Sequence, residues 1–127
     1  MSEVVVVLDV KKHYVFNASI RPQVATATVI GSAIDLENTV DGFAELIVGA
    51  VSGGSPTLDV KLQEAETSAG PYSDIPGTGF TRVVAANAQQ VITFRRTKRW
   101  VRAVGATGGS SPSFAFAVSL FGRKRVL

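Results

Sequence analysis

The stretch Thr57-Leu58-Asp59-Val60-Lys61-Leu62-Gln63-Glu64 decides the fold class. Apolar Leu58, Val60 and Leu62 alternate with Asp59, Lys61 and Gln63, so an extended chain gathers the apolar side chains on one face. A strand with one buried and one wet face belongs in an antiparallel sheet. Ser113-Phe114-Ala115-Phe116-Ala117-Val118-Ser119-Leu120 repeats the pattern. There Phe114, Phe116, Val118 and Leu120 share one face, while Ala115, Ala117 and Ser119 leave the other small enough for close approach of a second layer or subunit.

Outward from these two segments the chain is rich in Val, Thr, Ile and Phe and broken at short intervals by Gly, Pro, Ser and Asn. Strands are expected over 3–8, 12–16, 27–35, 43–51, 57–65, 89–96, 99–106 and 113–121. Val40, Phe43, Ala44, Ile47, Val48 and Val51 also fit helical spacing, but Gly42 and Gly49 weaken a helix, and the window is assigned to strand. Ser52-Gly53-Gly54-Ser55-Pro56 and Gly108-Gly109-Ser110-Ser111-Pro112 are expected to be turns between strands, and a longer loop runs from Glu66 to about Gly79. About eight short strands at this spacing predict an all-β fold, an antiparallel β-sandwich or jelly roll. No sequence remains for the crossover helices of a parallel fold. One sandwich domain is expected over 21–127. Residues 1–20 form an extended N-terminal arm or an edge strand, because the run Val4-Val5-Val6-Val7-Leu8 needs a sheet edge to complete.

The chain has 127 residues, enough for one core. A hydrophobic content of 46% against 18% charged residues excludes a disordered chain, and the absence of cysteine excludes disulfide scaffolds and thiol chemistry. The apolar run at the N-terminus is too short to span a bilayer and lacks the basic flank of a signal peptide, so no membrane association is expected, and the simplest site of synthesis is a cytoplasm. Charge is divided along the chain. Residues 1–74 hold four basic and ten acidic side chains, a net −6; residues 75–127 hold nine basic and no acidic ones, a net +9. In a sandwich this split predicts one acidic and one basic face, and attachment to partners that weakens with salt.

No motif for chemistry stands out. His13 is the only histidine and has no Gly-x-Ser-x-Gly partner; Asp35, Glu37, Asp41 and Glu45 lack calcium-loop spacing, and Asp35 and Asp41 are expected to cap turns. The glycines form no phosphate cradle, so no cofactor or metal is expected and the chain is read as a non-enzyme. The sharpest cluster is Arg95-Arg96-Thr97-Lys98-Arg99-Trp100-Val101-Arg102, read as a hairpin with Thr97-Lys98 at its tip. Three readings stay open: phosphate contacts with Trp100 stacking on a base, a structural role with Trp100 near the core, or a protein interface. Nucleic acid is the weakest of them. The candidate partner-binding residues are therefore Val4, Val5, Val6, Val7, Lys11, Lys12, Arg95, Arg96, Lys98, Arg99 and Arg102. The basic tail Arg123-Lys124-Arg125 is read as a solvated terminus.

Several segments taken in order carry a family resemblance. Ala33-Ile34-Asp35-Leu36, Asp41-Gly42-Phe43 through Ala50, Leu58 through Ala65, Tyr72-Ser73-Asp74-Ile75, Lys98-Arg99-Trp100-Val101-Arg102 and Phe116 through Arg123 resemble the capsid decoration, or cement, proteins of tailed bacteriophages. The resemblance covers about residues 28–123, rests on structural patterns, and leaves residues 1–20 outside it. Trp100 stands where a tyrosine-type aromatic is commoner. The resemblance implies a small sandwich or jelly roll without enzymatic activity, often trimeric, bound to the major capsid protein between capsomers. It implies a place on the capsid surface of a virion after synthesis in the host cytoplasm. The alternatives are a head–tail connector or tail component, a single-stranded nucleic-acid binder and, last, a carbohydrate-binding sandwich.

Overall fold

The computed structural model of the chain describes residues 10–125. A single helical turn, α1 (Val10–His13), precedes seven strands: β1 (Tyr14–Ala25), β2 (Val29–Ile30), β3 (Ile34–Asp35), β4 (Thr39–Ala65), β5 (Ser73–Asp74), β6 (Gln89–Phe94) and β7 (Trp100–Lys124). Every ladder is antiparallel. The fold is an all-β antiparallel sandwich, as the alternation at 57–64 and 113–120 predicts.

Its construction differs from a series of short hairpins. The windows expected at 43–51 and 57–65 are one strand, β4, and those at 99–106 and 113–121 are one strand, β7. The segments 52–56 and 108–112 do not separate strands; they lie opposite one another inside the β4–β7 ladder, which shifts register there. Both carry positive φ at alternate residues, Gly53 at 118° and Ser55 at 47°, Gly109 at 104° and Ser111 at 46°. Facing bulges of this kind bend both strands together without ending their pairing. One half of the sheet is then ordered β1–β7–β4–β6 and the other has β2 and β3 on β7 and β5 on β4.

The bend folds these halves over one another. Phe114, Phe116, Val118, Leu120, Leu46 and Val48 from one layer join Leu58, Val60, Leu62, Val101 and Ala103 from the other in one core. Phe116 sits so close to Gly105 that a β-carbon there would meet its Cζ at 2.8 Å, which is why a residue without a side chain faces it. Ser19 ties the layers with polar bonds. Its Oγ donates to Ser32 O at 2.8 Å and accepts from Ala103 N at 2.9 Å.

Several further expectations are corrected. The strand at 12–16 begins at Tyr14, because Lys12 and His13 close the helical turn, and it continues to Ala25. β1 thus spans position 20 and lies at an edge of the sheet, paired with β7. The strand at 27–35 reduces to the short pairs β2 and β3 on β7. The strand at 3–8 lies outside the described residues.

Candidate functional site

The basic cluster is not a hairpin. β6 pairs with β4 and β7 does not pair with β6, so residues 95–99 cross from one layer to the other. That crossing is organised by buried Glu64, whose carboxylate accepts from Thr97 N at 2.8 Å, Thr97 Oγ1 at 2.5 Å and Lys98 N at 3.2 Å. Arg96 turns inward and donates to Glu37 O at 2.6 Å, Thr39 O at 2.8 Å, Thr39 Oγ1 at 3.1 Å and Lys98 O at 3.3 Å. Burial, with Arg125 nearby, pulls its guanidinium below the ordinary arginine value.

Arg99 makes a bidentate pair with Asp35 at 2.9 and 2.8 Å, reaches Glu37 at 3.4 Å and lies 5.4 Å from the Trp100 ring centre. Arg102 donates to Gln63 Oε1 at 3.0 and 2.9 Å and stacks 3.7 Å over Tyr72, a partner that no local sequence pattern points to. Lys98 Nζ reaches Ser73 Oγ at 3.5 Å. Trp100 is half-buried on the outer face, with Val101 and Ala103 on the core face as the pleat predicts. Among the described residues only Arg95 of this cluster makes no hydrogen bond or ion pair; it stands exposed beside Asp41. Lys11 and Lys12 are exposed on α1, where the Lys11 carbonyl accepts from Lys124 Nζ at 3.2 Å. Val4 to Val7 lie outside the described residues. The described candidates are spread over α1, the 95–99 crossing and the start of β7.

The same pairing corrects the expectation of an acidic and a basic face. Antiparallel register lays the acidic half of the chain against the basic half: Asp35 on Arg99, Asp41 on Arg123 and Asp59 on Arg82. Arg99 and Arg123 hold the Asp35 and Asp41 carboxyls below the ordinary aspartate value, and Gln63 with Lys61 does the same for Asp74. Asp35 also caps its own turn, accepting from Glu37 N at 3.1 Å. No three His, Cys, Asp or Glu side chains converge on a metal-sized site among the described residues. His13 is exposed at the end of α1. No described helix is long and apolar enough to cross a membrane.

The two outer faces of the sandwich are unlike. The face of Lys61, Gln63, Tyr72 and Arg102 is a lattice of polar contacts. The outer face of the β1–β7–β4–β6 layer is mostly apolar, interrupted by the Gln89–Glu45 hydrogen bond at 2.9 Å and bounded by the Asp41–Arg123 pair. Register places Phe16, Phe121 and Phe43 side by side on three strands. Their rings stack, with centroids 5.9 Å apart for Phe16–Phe121 and 4.5 Å for Phe43–Phe121, and Tyr14 meets Phe43 edge-on at 6.2 Å. The neighbouring rows are Ala18, Ser119, Glu45 and Val91, then Ala117, Ile47 and Gln89. Exposures of 48% for Phe16 and Ile47, 57% for Val91 and 66% for Val24 mean that no described residue covers this face. Val24, Ile47, Gly49, Ala115 and Ala117 line a shallow hollow of about 390 Å³ in it. The small-residue face at 115–119 is thus outward and uncovered by any described residue. The aromatic row was missed in the sequence, although Phe121 shares the parity of Ala115, Ala117 and Ser119 and signals it. At the rim a cleft of about 520 Å³ opens between Tyr14, Asp41, Phe43, Thr93, Arg95 and Arg123.

No protein-family model and no curated protein matches the sequence. Among solved structures, the chain is similar to one of infectious bursal disease virus, Gx strain, at 11% identity and a TM-score of 0.55. The match covers 87% of this chain and 32% of that one, so this chain spans about a third of the viral protein. A structure described as a novel family of disulfide-linked pili, the Bacillus endospore appendages, aligns at 14% identity and TM-score 0.48, over 98% of this chain and all of that one. The SPBc2 prophage-derived protein YomS aligns at 12% identity and TM-score 0.46, over 96% and 100%. Together, fold and surface define a two-layered antiparallel sandwich with one polar and one mostly apolar outer face. The likeness to the viral protein is a likeness of fold.

Proposed function

We propose that this chain is a non-enzymatic structural protein of a virion, and specifically a decoration protein that binds the major capsid protein on the outside of a phage head, as a homotrimer. The observation that carries this is the mostly apolar outer face, where the aromatic row and the Val24–Ile47 hollow stand exposed: large exposed apolar side chains grouped on a small domain mark a protein contact. A sandwich fold shared with part of a viral protein fits the same role, as does the resemblance of residues 28–123 to phage cement proteins. Nucleic acid recognition loses support, because Arg96, Arg99 and Arg102 are engaged within the chain.

Attachment through this face has a defined signature. Purified protein added to undecorated heads is expected to co-sediment with them, and the Ile47→Asp/Ala117→Asp variant is expected to stay in the supernatant while remaining folded. Binding is expected to survive a rise from low to high salt, because apolar burial is not screened as exposed charge is. Electron microscopy of the virion is expected to place density on the head exterior. A ring at the neck, or heads without that density, would overturn the assignment.

A further inference from the structure

The β1–β7–β4–β6 layer has two outer edges, and they differ in a way that matters. β1 carries Arg21, Pro22 and two register shifts, all of which spoil a strand edge as a template. The outer strands of the other layer, β2, β3 and β5, have two residues each. β6, with the sequence Gln89-Gln90-Val91-Ile92-Thr93-Phe94, has no charge, no proline and no bulge. Among the described residues its backbone bonds to β4 alone. An edge left so open is a site for strand addition.

The sequence holds a segment suited to it. Glu3-Val4-Val5-Val6-Val7-Leu8 has five apolar residues in a row, the composition of a strand covered on both faces. Its six residues match the six of β6. Since every ladder here is antiparallel, Glu3 would come to the C-terminal end of β6, where exposed Arg95 makes no hydrogen bond or ion pair of its own. The segment joins the fold at Val10, where α1 packs against β1 and β7. In the same copy β6 lies three strand spacings from β1, about 14 Å, out of a reach of about 30 Å for nine extended residues. A second copy can take the whole run.

We propose that residues 3–8 of one copy form an antiparallel strand on the free β6 edge of a second copy, with Glu3 of the first against Arg95 of the second. This deepens the assembly role above by naming the contact between copies, and it rests on that role. The chain has no cysteine, so directed cross-linking tests it in the full-length protein. The register that joins Glu3 to Arg95 sets Val5 opposite Thr93. Mixed Val5→Cys and Thr93→Cys chains are expected to form a disulfide-linked heterodimer as the main oxidation product. Arg95→Glu in the Thr93→Cys chain is expected to reduce it severalfold, and Glu3→Arg in the other chain to restore it. The proposal is overturned if the yield does not exceed that of Val5→Cys with Arg21→Cys on the β1 edge. It is equally overturned if a Val5→Cys/Thr93→Cys double variant closes only within one chain, or if the unmodified chain is a monomer at all concentrations. Head co-sedimentation read in parallel separates the two ideas: attachment without cross-linking removes strand exchange alone, and cross-linking without attachment removes the decoration role alone.

Discussion

Glu64 shows how much a single buried charge can organise. Its even position in the alternating stretch 57–64 sets it on the inward face of Leu58, Val60 and Leu62, and there it is 5% exposed and receives three donors from Thr97 and Lys98. Buried donors left without an acceptor cost more than the hydrogen bond itself contributes, so Glu64→Ala is expected to lower unfolding free energy by about 2–4 kcal/mol. Glu64→Gln keeps an acceptor and is expected to cost less. Urea unfolding of the two variants checks this; equal stability of Glu64→Ala and the parent would contradict the role given to the carboxylate. The strand-end aspartates were legible as turn caps, and Asp35 is one, but its bond to Arg99 spans a sequence separation that no local pattern reveals.

At the level of elements, the two Gly-Gly-Ser segments carry the difference between eight short strands and two very long ones. Composition identifies both as places where the chain bends. It does not reveal that they bend in register, because that depends on β4 and β7 being neighbours. Gly109 has φ of 104°, and a β-carbon there would lie 2.6 Å from Ser55 O. Gly109→Ala is expected to destabilise the fold by about 1–3 kcal/mol through backbone strain and this clash. Ser110→Ala, exposed on the same bend, is expected to be near neutral. Thermal melts of both compare the positions, and a silent Gly109→Ala would mean that the bend has another geometry in solution. The crossing at 95–99 is not the expected hairpin for a related reason: β6 and the first residues of β7 are adjacent in sequence and lie in different halves of the sheet.

Over the whole molecule, the division of charge along the chain becomes a set of cross-strand pairs, and this gives the fold its expected response to acid. Asp35, Asp41 and Asp74 titrate below the ordinary aspartate value when folded, each held there by a neighbouring donor. Such groups stabilise the fold fully above the unfolded-state value and lose that contribution as pH falls through the folded one. Stability is therefore expected to be flat near neutrality and to decline below about pH 4. Denaturant midpoints between pH 7 and pH 2 measure it, and Asp35→Asn/Asp41→Asn is expected to flatten the acid limb. By itself the sequence determined the all-β class, the buried faces of the strands and the absence of a recognisable catalytic motif, because a period of two is a local property of the chain. Tertiary structure alone decided which charges neutralise one another, on which outer face the exposed apolar side chains gather, and which strand edge no described residue pairs. Those outcomes depend on which strands become neighbours, and neighbours here are set by a bend shared between β4 and β7, far apart along the chain.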